Sequence, residues 1–209
     1  MVKFITLAGK KQVGKDSSAQ YIKQILGDKR VHVVHFADAL KDACVLIFGI
    51  PREDMETETG KQKLTHVKWP VGIERNGATL GYEPHEQHKD MVPEKFMTVR
   101  EVLQFVGTDL FRNQLDPDIW VQSVYRKKYR DDDIVVVADA RFPNECDFAR
   151  NNGILIGVER ETGLKSDGHK SETALDDYTG YSHVIDNNGS FEDLRRVVSA
   201  ILTGNSLVV

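Results

Sequence analysis

Short, nearly uninterrupted apolar runs alternate along the chain with stretches whose apolar residues recur every three or four positions. Phe4-Ile5-Thr6-Leu7-Ala8, Val31 to Phe36, Ile134 to Ala138, Ile154 to Val158 and, more weakly, His183-Val184-Ile185 predict strands. The third and fourth are apolar almost throughout, as strands buried on both faces must be. Strands alternating with helical periodicity predict a doubly wound α/β fold, a parallel sheet covered on both sides. Leu40, Ala43, Cys44 and Ile47 fall at i, i+3, i+4 and i+7 behind Asp38 as N-cap. Leu194, Val197, Val198 and Ile201 repeat the spacing behind Ser190, with Gly204 as a stop. Thr98-Val99-Arg100-Glu101 is a capping-box sequence, and Val99, Val102, Leu103, Val106 and Leu110 carry its stripe past Gly107. Asp116-Pro117 opens a further helix with proline in the first turn, where no N–H is missed. These two helices form a pair inserted before the third strand. Residues 51 to 97 break the alternation, with charge, His, Pro and Gly and no sustained period. Such a stretch is functional or mobile, and the expectation is an excursion over the substrate side of the sheet.

Length and composition narrow the class. The 209 residues allow one large domain, or one domain with a sizeable insertion, and 40% of positions are hydrophobic, enough for a real core. No apolar run approaches the roughly 20 residues of a membrane span, and Met1 leads straight into the first strand without a signal-peptide pattern. Cys44 and Cys146 make no disulfide framework and suit a reducing compartment, so a cytoplasmic protein is expected, without a membrane partner. A net charge of −4 and a pI near 6.0 give no reason to expect a nucleic-acid polymer as partner.

The sharpest chemical signal is Gly9-Lys10-Lys11-Gln12-Val13-Gly14-Lys15-Asp16-Ser17, directly after the first strand and before a helix carrying Ala19, Ile22, Ile25 and Leu26. Gly9 and Gly14 let successive N–H groups turn inward at phosphate oxygens, and the helix N-terminus adds favourable partial charge. Lys15 reaches the β- and γ-phosphates in such a loop, and a Ser or Thr normally follows it to bind Mg²⁺. Here Asp16 follows, so the hydroxyl role passes to Ser17, while Asp16 either meets Mg²⁺ through water or faces away. The alternative for the whole segment is a Gly-rich turn that binds nothing. Ile134 to Ala138 is an apolar strand ending in Asp139, and such strand ends face the ligand crevice of an open α/β sheet. Asp139 either holds the Mg²⁺ shell or orients the attacking oxygen, or it merely caps the turn that follows. Arg141 either clamps phosphate or pairs with a nearby carboxylate. His85 and His88, with His66, Glu83 and Glu86, lack the cysteine partners of a structural zinc site.

Several words then align with one family. Gly14-Lys15-Asp16-Ser17, Phe36-Ala37-Asp38 with Leu40-Lys41, Arg100 with Leu103-Gln104 and Gly107-Thr108-Asp109, Asp118-Ile119-Trp120, Asp139-Ala140-Arg141-Phe142-Pro143-Asn144-Glu145 and His169-Lys170-Ser171-Glu172 together resemble bacteriophage deoxynucleoside monophosphate kinases. The likeness spans residue 3 to about 200 and is weakest over residues 51 to 97. It implies a single P-loop kinase domain over residues 1–209 with a five-stranded parallel sheet, an insertion and helical acceptor-binding region over 51–130, and a lid over 160–177. It implies ATP-dependent phosphorylation of deoxynucleoside monophosphates, with Mg²⁺ as cofactor. Gly9, Lys11, Val13, Gly14, Lys15, Asp16 and Ser17 would bind ATP, and Asp16, Ser17 and Asp139 would meet the metal. Lys15, Asp139, Arg141 and Arg160 would serve catalysis. Asp38, Lys41, Arg100, Arg112 and Trp120 are the candidates for the acceptor. Arg100 and Arg112 lie about three and a third helical turns apart and share a face only if Gly107 bends or breaks the helix. Trp120 either stacks on a base or packs in the core.

Two other functions compete: a P-loop kinase for a different small phosphorylated acceptor, such as a phosphomevalonate-type substrate, and a P-loop switch or motor subunit. A guanine switch lacks its Asn-Lys-x-Asp word here. Base preference, dimerisation and the role of His169 stay open at this level.

Overall fold

The apolar runs become a five-stranded, all-parallel sheet in a computed structural model that describes residues 3–27, 30–69, 73–75, 78–80, 96–163 and 173–207. The chain divides into two compact units, Met1–Phe36 with Trp120–Val209, and Ala37–Ile119. The second unit starts earlier and ends sooner than the 51–130 insertion read from sequence.

In the first unit, β1 (Lys3–Ala8) is followed by α1 (Lys15–Leu26) and β2 (Val31–Val34). The chain returns through α5 (Ile119–Tyr125), β7 (Ile134–Ala140), α6 (Pro143–Asn152), β8 (Gly153–Glu159), β9 (His183–Asp186) and α7 (Phe191–Gly204). The sheet order is β2-β7-β1-β8-β9, with Phe4 opposite Val135 on one side and opposite Gly153 on the other. Burial follows that order. The inner strands β1, β7 and β8 each bury four consecutive residues, whereas the edge strands β2 and β9 bury one each. Side chains alternate between the faces of a strand. Ile5, Leu7, Val136, Ala138, Ile156 and Val158 pack with Ala19 and Ile22 of α1 and with Leu194, Val198 and Leu202 of α7. Each of the larger aliphatic side chains contributes about 1.5–3 kcal/mol by leaving water. Phe4 points the other way, its ring 4.3 Å from that of Tyr125, which in turn lies 4.1 Å from Phe148 of α6. Cys44 and Cys146 are buried and free. Among the described residues no helix is long and apolar enough to cross a membrane.

The second unit holds α2 (Asp38–Phe48), a 3₁₀ turn (Arg52–Met55), α3 (Glu58–Lys61), β3 (Leu64–Lys68) paired antiparallel with β6 (Phe96–Thr98), the antiparallel pair β4 (Ile73–Arg75) and β5 (Ala78–Leu80), and α4 (Val99–Gln104). Residues 51 to 97 are therefore a set of short elements where they are described; Glu83, His85, Glu86 and His88 lie outside the described residues. Thr98 and Glu101 form the expected capping box. Beyond Gln104 the helix widens into i→i+5 bonding over Phe105–Arg112. That shift moves the apolar stripe: Val99, Val102 and Val106 are buried, but Leu110 is 45% exposed while Asp109 is buried.

Three expected helix ends differ. Asp38 does not cap α2; it sits in the first turn, and its carboxylate accepts from Arg52 Nη2 at 2.7 Å. An ion-paired acid there still suits the helix dipole. Asp116 accepts from the Asp118 N–H, which delays α5 to Ile119. Gly204 is the last helical residue, and Asn205 closes α7 by donating from Nδ2 to Ile201 O at 2.7 Å.

Candidate active site

The loop between β1 and α1 has the backbone its glycines foretell. Gly9 has φ +146° and Gly14 φ +103°; a β-carbon would collide with Val158 O at the first and with Asn187 Nδ2 at the second. Gln12 also takes the left-handed region, at φ +62°. The first bond within α1 runs from Ser18 N to Gly14 O, so the N–H groups of Lys15, Asp16 and Ser17 have no acceptor within the helix and line its positive end. Val13, 3% exposed, contributes its side chain to the core and only its backbone to the loop, and Lys11 is half-buried. Lys15 is 6% exposed, and its ammonium donates to Gly9 O at 2.7 Å and to Lys10 O at 2.5 Å. Two carbonyls of the loop therefore set where this charge stands.

The hydroxyls divide their work. Ser18 is fully buried and donates to Gly14 O at 2.9 Å, a structural bond, whereas Ser17 is half-buried. The side chain of Asp16 is 83% exposed, its Oδ1 3.2 Å from His35 Nε2. Asp139, next to last in β7, accepts the Phe36 N–H on Oδ1 at 2.7 Å and so pins the chain leaving β2 to the tip of β7. This explains why β2 ends at Val34 rather than Phe36. The turn after Asp139 is held instead by Glu145, 2% exposed, which accepts from Arg141 N at 2.6 Å and Phe142 N at 3.0 Å. Half-buried Arg141 is thus fixed by its backbone.

Arg160 follows β8 directly, is exposed, and lines a cleft of about 340 Å³ with Gly9, Lys10, Val13, Val158 and Tyr181. Lys10 pairs with Asp176 at 2.7 Å. Of the expected 160–177 segment, 164–172, including Lys165, Gly168 and His169, lie outside the described residues; Gly163 has φ +63°. Asn187, absent from the sequence reading, is 7% exposed; it donates from Nδ2 to Val13 O at 2.8 Å and from its backbone N–H to Glu159 O at 2.8 Å.

In the second unit the acceptor candidates are enmeshed in ion pairs. Asp38 binds Arg52, Lys41 meets Glu56 at 2.6 Å with its side chain 13% exposed, and Arg100 meets Glu58 at 2.7 Å. Arg52 also pairs with Asp42 and Glu56. Burial would raise the Glu56 carboxyl, but the hydrogen bonds and charges of Lys41 and Arg52 outweigh it and hold the group below its ordinary range. Burial pushes the Lys61 ammonium down, and the charges of Lys41 and Arg100 add to this against Glu58. Lys61 and Arg52 are thus cations of this cluster that no sequence word marked. Arg112 donates to Pro117 O at 3.3 Å, at the end of the i→i+5 segment rather than on a regular helix shared with Arg100. Trp120 is 6% exposed, its ring spent mostly on packing. Among the described residues, no three His, Cys, Asp or Glu side chains converge as a metal-binding group.

Known proteins give this arrangement a family. The sequence profile of the deoxynucleotide monophosphate kinases matches residues 58–198. A protein of Acanthamoeba polyphaga mimivirus, provisionally named deoxynucleotide monophosphate kinase, is 29% identical over 94% of this chain and 95% of its own. The deoxynucleotide monophosphate kinase of Enterobacteria phage T4 is 27% identical over 92% of this chain and 95% of its own. The deoxynucleoside-5'-monophosphate kinase of Escherichia phage T5 is 33% identical over 43% of this chain and 40% of its own. With a family profile matching well over half its length, this chain belongs to the deoxynucleotide monophosphate kinase family.

Proposed function

We propose that the protein transfers the γ-phosphoryl group of ATP to a deoxynucleoside monophosphate, forming ADP and the deoxynucleoside diphosphate. The observation that carries this reading is the Gly9–Ser17 loop, with the Lys15 ammonium held across it, in a chain of this family. Phosphoryl transfer needs little covalent help from the protein, and positioning with charge neutralisation supplies most of the rate. The backbone of Gly9, Lys11, Val13, Gly14, Lys15, Asp16 and Ser17 cradles the donor phosphates, and Lys15 meets their β- and γ-oxygens. Arg141 and Arg160 face the charge that develops on the group in flight.

The oxygen donors available suit Mg²⁺, a hard cation that keeps several waters: a half-buried hydroxyl on Ser17 and carboxylates on Asp139 and Asp16. When bound, Mg²⁺ neutralises β- and γ-phosphate charge. Ser17 and Asp139 would hold it, with Asp16 reaching it through water. Asp38, Lys41, Arg100 and Arg112 take the acceptor, joined by Arg52 and Lys61 from the same charged cluster. Residues 160–177 act as the lid, excluding water that would otherwise compete for the γ-phosphate. The buried thiols fit a reducing cytoplasm, and the phage and mimivirus relatives fit a viral enzyme of DNA-precursor supply.

Chromatography of ATP incubated with and without each deoxynucleoside monophosphate tests the reading. ADP and the matching diphosphate should appear together and only when the acceptor is present, with deoxynucleotides preferred over ribonucleotides. ATP turnover indifferent to the acceptor would remove the kinase assignment.

A further inference from the structure

A buried carboxamide meets the phosphate loop from the far end of the sequence. Asn187 follows β9, 174 residues from the Val13 carbonyl that it binds, and only 7% of its surface is exposed. Its amide also fills the position a β-carbon of Gly14 would take. A planar trans peptide points its C=O and its N–H to opposite sides. Whatever fixes the Val13 carbonyl therefore fixes the direction of the Gly14 N–H.

We infer that Asn187 is a positioning residue for the donor phosphates: its Nδ2–H holds Val13 O so that the Gly14 N–H faces the nucleotide. The inference rests on the proposed reading of the loop as the ATP site. Gly14 stands at φ +103°, a conformation glycine reaches easily and therefore leaves easily, so the loop needs an outside restraint to hold one aim. Asn187 supplies it from a rigid place, since its own N–H is bonded to Glu159 O at the end of β8. The same backbone bond ties this brace to the residue that precedes Arg160. A nucleotide site and the root of the lid are thereby held by one residue.

The test measures ADP affinity by calorimetry, kcat, and KM for the acceptor in wild type, Asn187→Ala and the near-isosteric Asn187→Asp, each below its own melting temperature. A carboxylate cannot donate to Val13 O and brings negative charge toward phosphate. ADP binding should weaken about tenfold in Asn187→Ala and further in Asn187→Asp, while the acceptor KM stays within about twofold of wild type. ADP affinity unchanged in folded Asn187→Ala, or an acceptor KM that rises as much as the ADP constant, overturns the inference. In the wild-type protein, ¹⁵N-glycine spectra should show the Gly14 amide shifting on ADP addition, and an unmoved Gly14 amide overturns it without any variant having to fold. Should wild type bind no ADP, the proposed function falls and this inference with it. Should ADP binding weaken in the variants while wild type phosphorylates no deoxynucleotide, the positioning role stands and only the acceptor assignment fails.

Discussion

Lys15 is nearly out of water, and the two carbonyls that receive its ammonium belong to the loop it serves. On the proposed reading of this loop, removing it would take a charge from the transition state more than it would take packing from the core. Lys15→Ala should lower kcat by about 10²–10³-fold with a small change in melting temperature, and a variant keeping half of wild-type turnover would refute the role. Asp139 poses a cleaner separation of structure from charge. In Asp139→Asn the amide oxygen can still accept from Phe36 N–H, so the tie between β2 and β7 survives while the negative charge goes. The Mg²⁺ concentration for half-maximal rate should rise in this variant, and shift less in Asp16→Ser, where the side chain is largely in solvent. Titration of rate against Mg²⁺ in both variants decides it; an unchanged requirement in Asp139→Asn leaves that residue purely structural.

At the scale of elements, Glu145 joins helix geometry to the site. Its carboxylate closes the N-terminus of α6 and holds the Arg141 backbone. Glu145→Ala leaves two N–H groups without that acceptor and should cost about 1–3 kcal/mol in urea unfolding, with a fall in kcat as Arg141 loses its anchor. Full stability in this variant would show that water replaces the cap without cost. The sequence reading offers Asp139 as the cap here and does not mark this helix start, which proline in the first turn and the carboxylate of Glu145 set instead. β1, β7 and β8 are legible in the chain, because burial on both faces leaves a continuous apolar run, and so is the backbone of the Gly9–Ser17 loop, whose residues are consecutive in sequence. What escaped was written in distant partners or in another period. β3, exposed at every other residue, exists through its pairing with β6. A 3.6-residue stripe cannot describe i→i+5 bonding, so Leu110 was expected inside and stands outside. Asn187 carries no mark in the sequence because nothing local names its partner, Val13.

For the whole molecule, the charged cluster of the second unit gives stability a pH dependence. Glu56 ionises below its ordinary value near 4.5 because Lys41 and Arg52 outweigh the effect of burial. A carboxyl lowered on folding stabilises fully above its unfolded value, and that contribution disappears as pH falls through the lower, folded value. Glu56→Gln should therefore lower the neutral plateau of the melting-temperature profile while leaving the acid end close to wild type, so that stability falls less as pH drops below about 4.5. A neutral plateau identical to wild type would mean that other carboxylates govern the acid limb.

The position of β1 at the centre of the sheet also bears on how the protein is made. Both its neighbours, β7 and β8, begin more than a hundred residues later, so the first strand leaves the ribosome long before either partner exists. Ala37–Ile119, by contrast, is one continuous stretch that can close its own contacts during synthesis. The nascent chain thus carries an unpaired, apolar strand ahead of a unit that is continuous in sequence, and the Gly9–Ser17 loop completes its contacts only once Asn187 has emerged. Pulse proteolysis of stalled nascent chains should find 37–119 protected first, with residues 3–26 cleavable until β8 has emerged. Protection of the N-terminal strand before that point would mean that it borrows a surface, a chaperone's included, that the finished sheet later replaces.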